Sequence, residues 1–243
     1  MSQNAIADKV AIVTGAGRGI GRAIAISLAG QGVKVSLAAR TQSELDDTHA
    51  RIQSAGGQAS VHPTDMSVED SVNRLVKDSA DQWGRLDIVV NNAGIGVFQT
   101  LEQTAIDTWN QIQEVNARGT FLLCREAISY LRQQQLSFII NIASVVAVKG
   151  YGNQAAYTAS KHAMLGMSKS LAKEVQEDGI RVHVINPGGV ATDMVQQARP
   201  DLNLEELIQP QDIADIVLFL VTRSGNAVID EVNVRRATSL PWA

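Results

Sequence analysis

The sequence predicts a doubly wound α/β fold, a parallel sheet of about seven strands flanked by helices, in one domain spanning residues 1–243. Three observations carry this expectation. Short apolar runs, the mark of strands buried on both faces, recur from Lys9 to Val234. Longer stretches with apolar residues at helical spacing lie between them. Many of the runs end in glycine, asparagine or serine, the residues that build turns at a sheet edge. No linker, low-complexity tract or repeat breaks the alternation.

With 243 residues and 45% hydrophobic composition, the chain can bury a substantial core. The formal charge of −4, with both signs interspersed, gives no electrostatic footprint for nucleic acid or an anionic membrane, and neither partner is expected. The single cysteine, Cys124, sits among Phe121, Leu122 and Leu123 and reads as a buried thiol suited to a reducing compartment. No basic region followed by an apolar run opens the chain, and no apolar stretch reaches ~18 residues, so the expected location is cytoplasmic. His49, His62, His162 and His183 show no ligand spacing, so no metal is expected.

The first run, from Lys9 to Thr14, enters Gly15 Ala16 Gly17 Arg18 Gly19 Ile20 Gly21, and a helical pattern through Ala23, Ile24 and Leu28 follows up to Gly30 and Gly32. In such a strand, loop and helix, free N–H groups at the helix start and missing Cβ atoms let a pyrophosphate approach closely. Gly15, Gly19 and Gly21 are the glycines placed to do this. The next strand, Val33 to Ala38, completes a βαβ unit with a right-handed crossover. Its end carries Ala38, Ala39 and Arg40 where an NAD-preferring site places an acid, and the first acid is Glu44. Arg18 and Arg40 together are suited to clamp a 2′-phosphate by charge-assisted hydrogen bonds, so NADP(H) is the expected cofactor.

Thr41 and Glu44 form a capping-box pattern opening a helix to about Ala55. A strand near Gln58 to His62 leads to Asp65, which either makes a turn or reaches an adenine amino group. Ser67 and Asp70 form a second capping pattern before a helix with Val72, Leu75, Val76 and Trp83 on one face. The strand Leu86 to Val90 runs into Asn91 Asn92 Ala93 Gly94, at the strand-end position where such sheets bind ligands. A long helix is predicted from about Thr104 to Gln133. Asn116 falls inside it, either facing solvent or bending the helix to bind something. Phe138 to Ile142 is a strand with Ser144 just beyond its end. After the helix bearing Tyr157, which runs to about Gln176, the strand Arg181 to Ile185 ends in Pro187 Gly188. Pro210 opens a last helix before a final strand at Val228 to Val234.

Tyr157 and Lys161 lie one helical turn apart on one face. At ~4 Å and an effective dielectric of ~20, the ammonium stabilises a phenolate by up to ~4 kcal/mol, or ~3 pKa units below the ordinary ~10. Desolvation opposes this. A phenol so tuned can give a proton to a developing alkoxide or take one from an alcohol.

In order along the chain, Thr14 Gly15 with Gly19 and Gly21, Asp65, Asn91 Asn92 Ala93 Gly94, Asn116, Ser144, Tyr157 with Lys161, and Pro187 Gly188 with Thr192 resemble the short-chain dehydrogenases and reductases. The resemblance implies a Rossmann-type fold, a nicotinamide cofactor, and often a homodimer or homotetramer built on the long helices. It implies Tyr157 as acid/base, Ser144 holding the substrate oxygen, Lys161 lowering the Tyr157 pKa and binding the nicotinamide ribose, and Asn116 supporting a water-linked proton relay. Val190 and Thr192 would meet the carboxamide, and Asn91, Ala93 and Gly94 the cofactor cleft. Within the family, Gly152 to Tyr157 is similar to 3-oxoacyl-carrier-protein reductases, whereas the terminal Asp230 to Arg236 departs from their Asp-Gly-Gly ending. The expected activity is reversible NADPH-dependent reduction of a small-molecule ketone or aldehyde to an alcohol. A 3-oxoacyl-carrier-protein reductase and a dinucleotide-sensing scaffold without turnover are the alternatives. Ile95, Val97, Val145, Val146, Tyr151 and Met194 are candidates for a partly apolar substrate pocket.

Overall fold

The structure, a computed structural model, describes residues 6–241. Strands β1 (Val10–Thr14), β2 (Lys34–Ala39) and β3 (Gln58–Pro63) alternate with helices α1 (Gly19–Gly30), α2 (Gln42–Ser54) and α3 (Glu69–Trp83). Then come β4 (Ile88–Asn91), α4 (Ile106–Gln113), α5 (Gly119–Leu131), β5 (Ser137–Ile142), α6 (Ala155–Glu174) and β6 (Ile180–Pro187). The described chain closes with α7 (Asp193–Ala198), α8 (Pro210–Val221) and β7 (Glu231–Val234). The strands form one parallel sheet in the order β3-β2-β1-β4-β5-β6-β7. This is the Rossmann-type arrangement expected from the alternation of strands and helices. Its winding reverses between β1 and β4, which opens a crevice at their carboxyl ends.

Strand periodicity decides which helix each strand residue meets. Ala11 and Val13 face Ile24, Leu28, Ile213, Val217 and Leu220 from α1 and α8. Val10 and Ile12 point the other way, toward Val72, Leu75, Leu122, Leu123 and Ala127 from α3 and α5. Both faces are thereby buried, which is why the strands read as continuous apolar runs. The Cys124 thiol is buried, as expected. At the amino end of the sheet the buried Asp87 carboxylate accepts from Val10 N–H at 2.9 Å and from Lys9 Nζ at 3.2 Å. It also pairs with Arg85 at 2.6 Å.

The structure corrects several boundaries. The long helix starts at Ile106 rather than Thr104, ends at Leu131, and is broken by a π-helical segment, Glu114–Arg118, that contains Asn116. Thr41 caps α2 by backbone position without a side-chain capping bond, because Glu44 turns to the glycine loop instead. Val68, not Ser67, holds the cap position of α3; Ser67 is taken by Asp65, whose Oδ1 accepts from its N–H at 2.9 Å and its hydroxyl at 2.7 Å. The tyrosine-bearing helix stops at Glu174, and β7 begins only at Glu231 because Val228 and Ile229 remain exposed beyond the paired edge.

Candidate active site

The loops at the carboxyl ends of β1, β4, β5 and β6 converge on a cleft of about 540 Å³. Gly15, Arg18, Gly19, Ile20, Arg40, Asp65, Ala93, Gly94, Tyr157, Lys161 and Thr192 line it, bringing together much of what the sequence separates by up to 177 residues. Thr14 holds the first two loops in register. Its hydroxyl donates to Val90 O at 3.2 Å and accepts from Asn92 N and Ala93 N, each at 3.0 Å.

The fit of a dinucleotide is read from the shape of the cradle. A Cβ at Gly21 would stand 2.2 Å from Gly15 O and 2.5 Å from Asn92 Nδ2. The start of α1 therefore packs against the loop as closely as a pyrophosphate cradle demands. Glycine loop, helix start and strand-end arginine fit a dinucleotide.

Some expected residues do other work. Asn91 is turned into the core, where Nδ2 donates to Asn141 Oδ1 at 2.8 Å and to Cys124 Sγ at 3.3 Å; Asn92 takes its place at the cleft. Strand alternation explains the exchange, since adjacent residues face opposite ways. Pro187 and Gly188 turn the chain at the end of β6, with Gly188 N–H donating to Val234 O, while Ala191 and Thr192 reach the cleft. Val190 is buried and bridges to Ile208. Asp65 makes the turn described above and also borders the cleft. Arg18 is not a free clamp: it pairs with Asp193 at 3.0 Å and with Glu44 at 3.7 Å. The sequence does not mark Asp193 as a partner of Arg18, because a pairing across 175 residues leaves no local spacing signal.

Asn116 is neither solvent-facing nor idle. Wholly buried in the π-helical segment, its Oδ1 accepts from Ile95 N at 2.8 Å, and its Nδ2 donates to Ile95 O at 2.9 Å and to Ser160 Oγ at 3.0 Å. Ser160 in turn donates to the Tyr157 carbonyl at 2.7 Å. The wider turn of a π-helix makes room for an inward polar side chain, a feature frequent at functional sites. Asn116 thus ties the loop after β4 to the helix carrying Tyr157.

Tyr157 lines the cleft and hydrogen-bonds Ser144. Burial pushes its phenol up to about 12, and the Ser144 bond offsets only part of that rise. Burial likewise pushes the Lys161 ammonium down to about 8. Lys161 Nζ donates to Ile142 O at 2.9 Å and lies 5.8 Å from the Tyr157 ring centroid. The expectation that Lys161 makes Tyr157 acidic is therefore corrected: burial, not the ammonium, dominates the Tyr157 shift. Desolvation of both groups outweighs an ammonium directed at a backbone carbonyl. The phenol is protonated at neutral pH. Among the described residues no cluster of His, Cys, Asp and Glu could hold a metal, and no helix is long and apolar enough to cross a membrane.

The sequence matches the short chain dehydrogenase family model over residues 9–203. It is 38% identical to a 3-oxoacyl-[acyl-carrier-protein] reductase from Synechocystis sp. over 232 residues, which span 93% of this chain and 94% of that protein. A metagenomic short-chain oxidoreductase solved with NADP superposes with a TM-score of 0.85 at 35% identity, covering 96% of this chain and 99% of the other. A 7α-hydroxysteroid dehydrogenase solved with NADH and 7-oxo glycochenodeoxycholic acid superposes at 0.88 and 27% identity, covering 99% and 98%. With a seven-stranded parallel sheet, a glycine-loop cleft and a family match across four-fifths of its length, the chain belongs to the short-chain dehydrogenase family.

Proposed function

We propose that this oxidoreductase is an NADPH-dependent carbonyl reductase, reversible as an alcohol dehydrogenase, with Tyr157 as its acid/base. The observation that carries the reading is a protonated, Ser144-bonded phenol lining the cleft that the glycine loop borders. NADPH bound there supplies the hydride. The Ser144 hydroxyl donates a hydrogen bond to the substrate carbonyl oxygen and fixes it beside Tyr157. As the carbonyl π bond breaks, the phenol gives its proton to that oxygen, and the alcohol leaves with one new C–H and one new O–H bond. Lys161 stabilises the phenolate left behind. Asn116 holds the two walls of the site together through Ile95 and Ser160.

Preference for the 2′-phosphate rests on Arg40, at a strand end without an acid, since Arg18 is already engaged by two carboxylates. A buried single cysteine suits action in the cytoplasm, and the family habit makes a homodimer or homotetramer the proposed assembly. The Synechocystis relative favours a second reading, reduction of a 3-oxoacyl group on a carrier protein. Tyr157→Phe tests the core of both. It keeps the ring and removes the proton, so turnover falls by about 10²–10⁴ in a folded protein. Undiminished turnover would refute the proposed chemistry. A carbonyl panel followed by NADPH absorbance separates the small-molecule reading from the carrier-bound one.

A further inference from the structure

Beyond Tyr157, two loops leave neighbouring strands at the same height, where Asn91 of β4 stands opposite Asn141 of β5. Residues 94–101, after β4, carry no charge, and residues 143–156, after β5, carry only Lys149. Yet these loops display exposed apolar side chains: Val97, Leu101, Val148 and Tyr151. Lys149 Nζ lies 5.4 Å from the Tyr151 ring centroid, so its charge is already placed against an aromatic face.

The side chain that joins these loops to the chemistry is Phe98. Its ring meets the Tyr157 ring edge-to-face, with centroids 5.8 Å apart and planes at 71°, an arrangement aromatic pairs favour. The chain passes tightly beneath it: a Cβ at Gly96 would come within 2.8 Å of Phe98 Cζ. Phe98 is thus held between the Gly96 backbone and the phenol. Met194, which lines the cleft, adds another apolar group.

A ligand site built this way has an apolar wall and a few polar groups that fix orientation, here Ser144 and Tyr157. A carboxylate or phosphate brought against that wall loses its hydration, and the one cation of the two loops, Lys149, is set against the Tyr151 ring. We infer that Phe98 positions the Tyr157 ring and, with the exposed apolar side chains of the two loops, selects uncharged carbonyl substrates bearing an aromatic or hydrocarbon substituent over those bearing an acidic group. The inference rests on the carbonyl-reductase reading and narrows it to a substrate class, one that disfavours phosphate-bearing carrier arms.

The experiment uses acetophenone and phenylglyoxylate, which share a ring and a ketone and differ by a carboxylate. Wild type, Phe98→Leu and Phe98→Ala are compared in steady-state reduction with NADPH. Binding of each probe to the cofactor-free protein is followed in parallel by saturation-transfer NMR. Wild type is expected to bind acetophenone and turn it over with kcat/KM at least about tenfold above phenylglyoxylate. Phe98→Ala raises KM for acetophenone about tenfold or more and lowers kcat as well, and it narrows the ratio between probes. Phe98→Leu restores most of KM and less of kcat, because it refills the wall without the ring contact to Tyr157. Ultraviolet titration, taken as the difference from each protein's Tyr157→Phe counterpart, follows that phenol alone; in Phe98→Ala it titrates at lower pH as water reaches it. Preference for phenylglyoxylate, or unchanged probe ratios and phenol titration in a folded Phe98→Ala, would overturn the inference. If wild type reduces neither probe, the reductase reading is at fault, and the NMR binding ratio still decides the claim about Phe98.

Discussion

Lys161 is a buried ammonium that donates to a backbone carbonyl and meets no carboxylate among the described residues, and this predicts an unusual dependence of stability on pH. Native Lys161 loses its proton near pH 8, whereas the unfolded chain keeps it to the ordinary value of 10.5. Between those values the unfolded lysine binds more protons than the native one, so the contribution of Lys161 to stability rises with pH. The whole displacement corresponds to ~3 kcal/mol at ~1.4 kcal/mol per pKa unit. Lys161→Met keeps a side chain of similar length and removes the titrating proton. The variant also leaves Ile142 O without its donor, but that loss does not vary with pH and cancels when two pH values are compared. Urea unfolding at pH 7 and at about pH 9.5, followed by tryptophan fluorescence, is the assay. Stability of the variant relative to wild type is expected to fall by about 2 kcal/mol across that interval, since the losses at high pH from Cys124 and Tyr157, both raised by burial, are common to the two proteins and cancel. A difference that stays constant, or that grows in the variant's favour, would refute the claim that burial dominates this lysine.

Thr14→Val removes the hydroxyl that joins β1 to Val90, Asn92 and Ala93, and should lower unfolding free energy by ~2–4 kcal/mol, read from the urea midpoint. Gly21→Ala places a methyl against Gly15 O and should weaken NADPH binding by about tenfold or more in a fluorescence titration while the far-ultraviolet spectrum stays native. Arg40→Ala should raise the NADPH Kd by about ten- to a hundredfold and leave NADH unchanged; equal losses for both would refute a 2′-phosphate role. Because the phenol is pushed up to about 12, log kcat/KM for alcohol oxidation should climb with pH through the neutral range, whereas carbonyl reduction should not climb.

How well each feature could be read from the sequence followed the range of the interaction behind it. Strands of the sheet were visible because burial on both faces writes itself into consecutive residues such as Val10 to Val13, and the glycine loop because its tight packing excludes side chains over a few adjacent positions. Tyr157 and Lys161 were readable because one helical turn fixes their relation. What escaped was non-local. The Arg18 pairings with Glu44 and Asp193 depend on where α2 and α7 dock on the glycine loop, and neither leaves a mark on the residues around Arg18. Asn91 and Asn92 are chemically identical neighbours, and only the final pleat of β4 decides which enters the core. The π-helical segment escaped because its cause is the pairing of Asn116 with Ile95, made across 21 positions.

The mistaken expectation about Tyr157 shows how the site divides its tasks. An ammonium one helical turn away was expected to hold the phenol acidic at rest. Burial instead raises the phenol to about 12 and lowers the ammonium to about 8, and Lys161 Nζ donates to Ile142 O. In the proposed reaction a neutral phenol is the state from which a proton is given away, so a protonated Tyr157 suits the direction that consumes a proton, carbonyl to alcohol. The ammonium matters at the other end of the transfer, when a phenolate has formed in a poorly solvated place and a positive charge nearby is worth most. A lysine that is expensive to bury at rest and stabilising only once charge develops contributes selectively to the reacting state, and that selectivity is what a catalytic contribution requires.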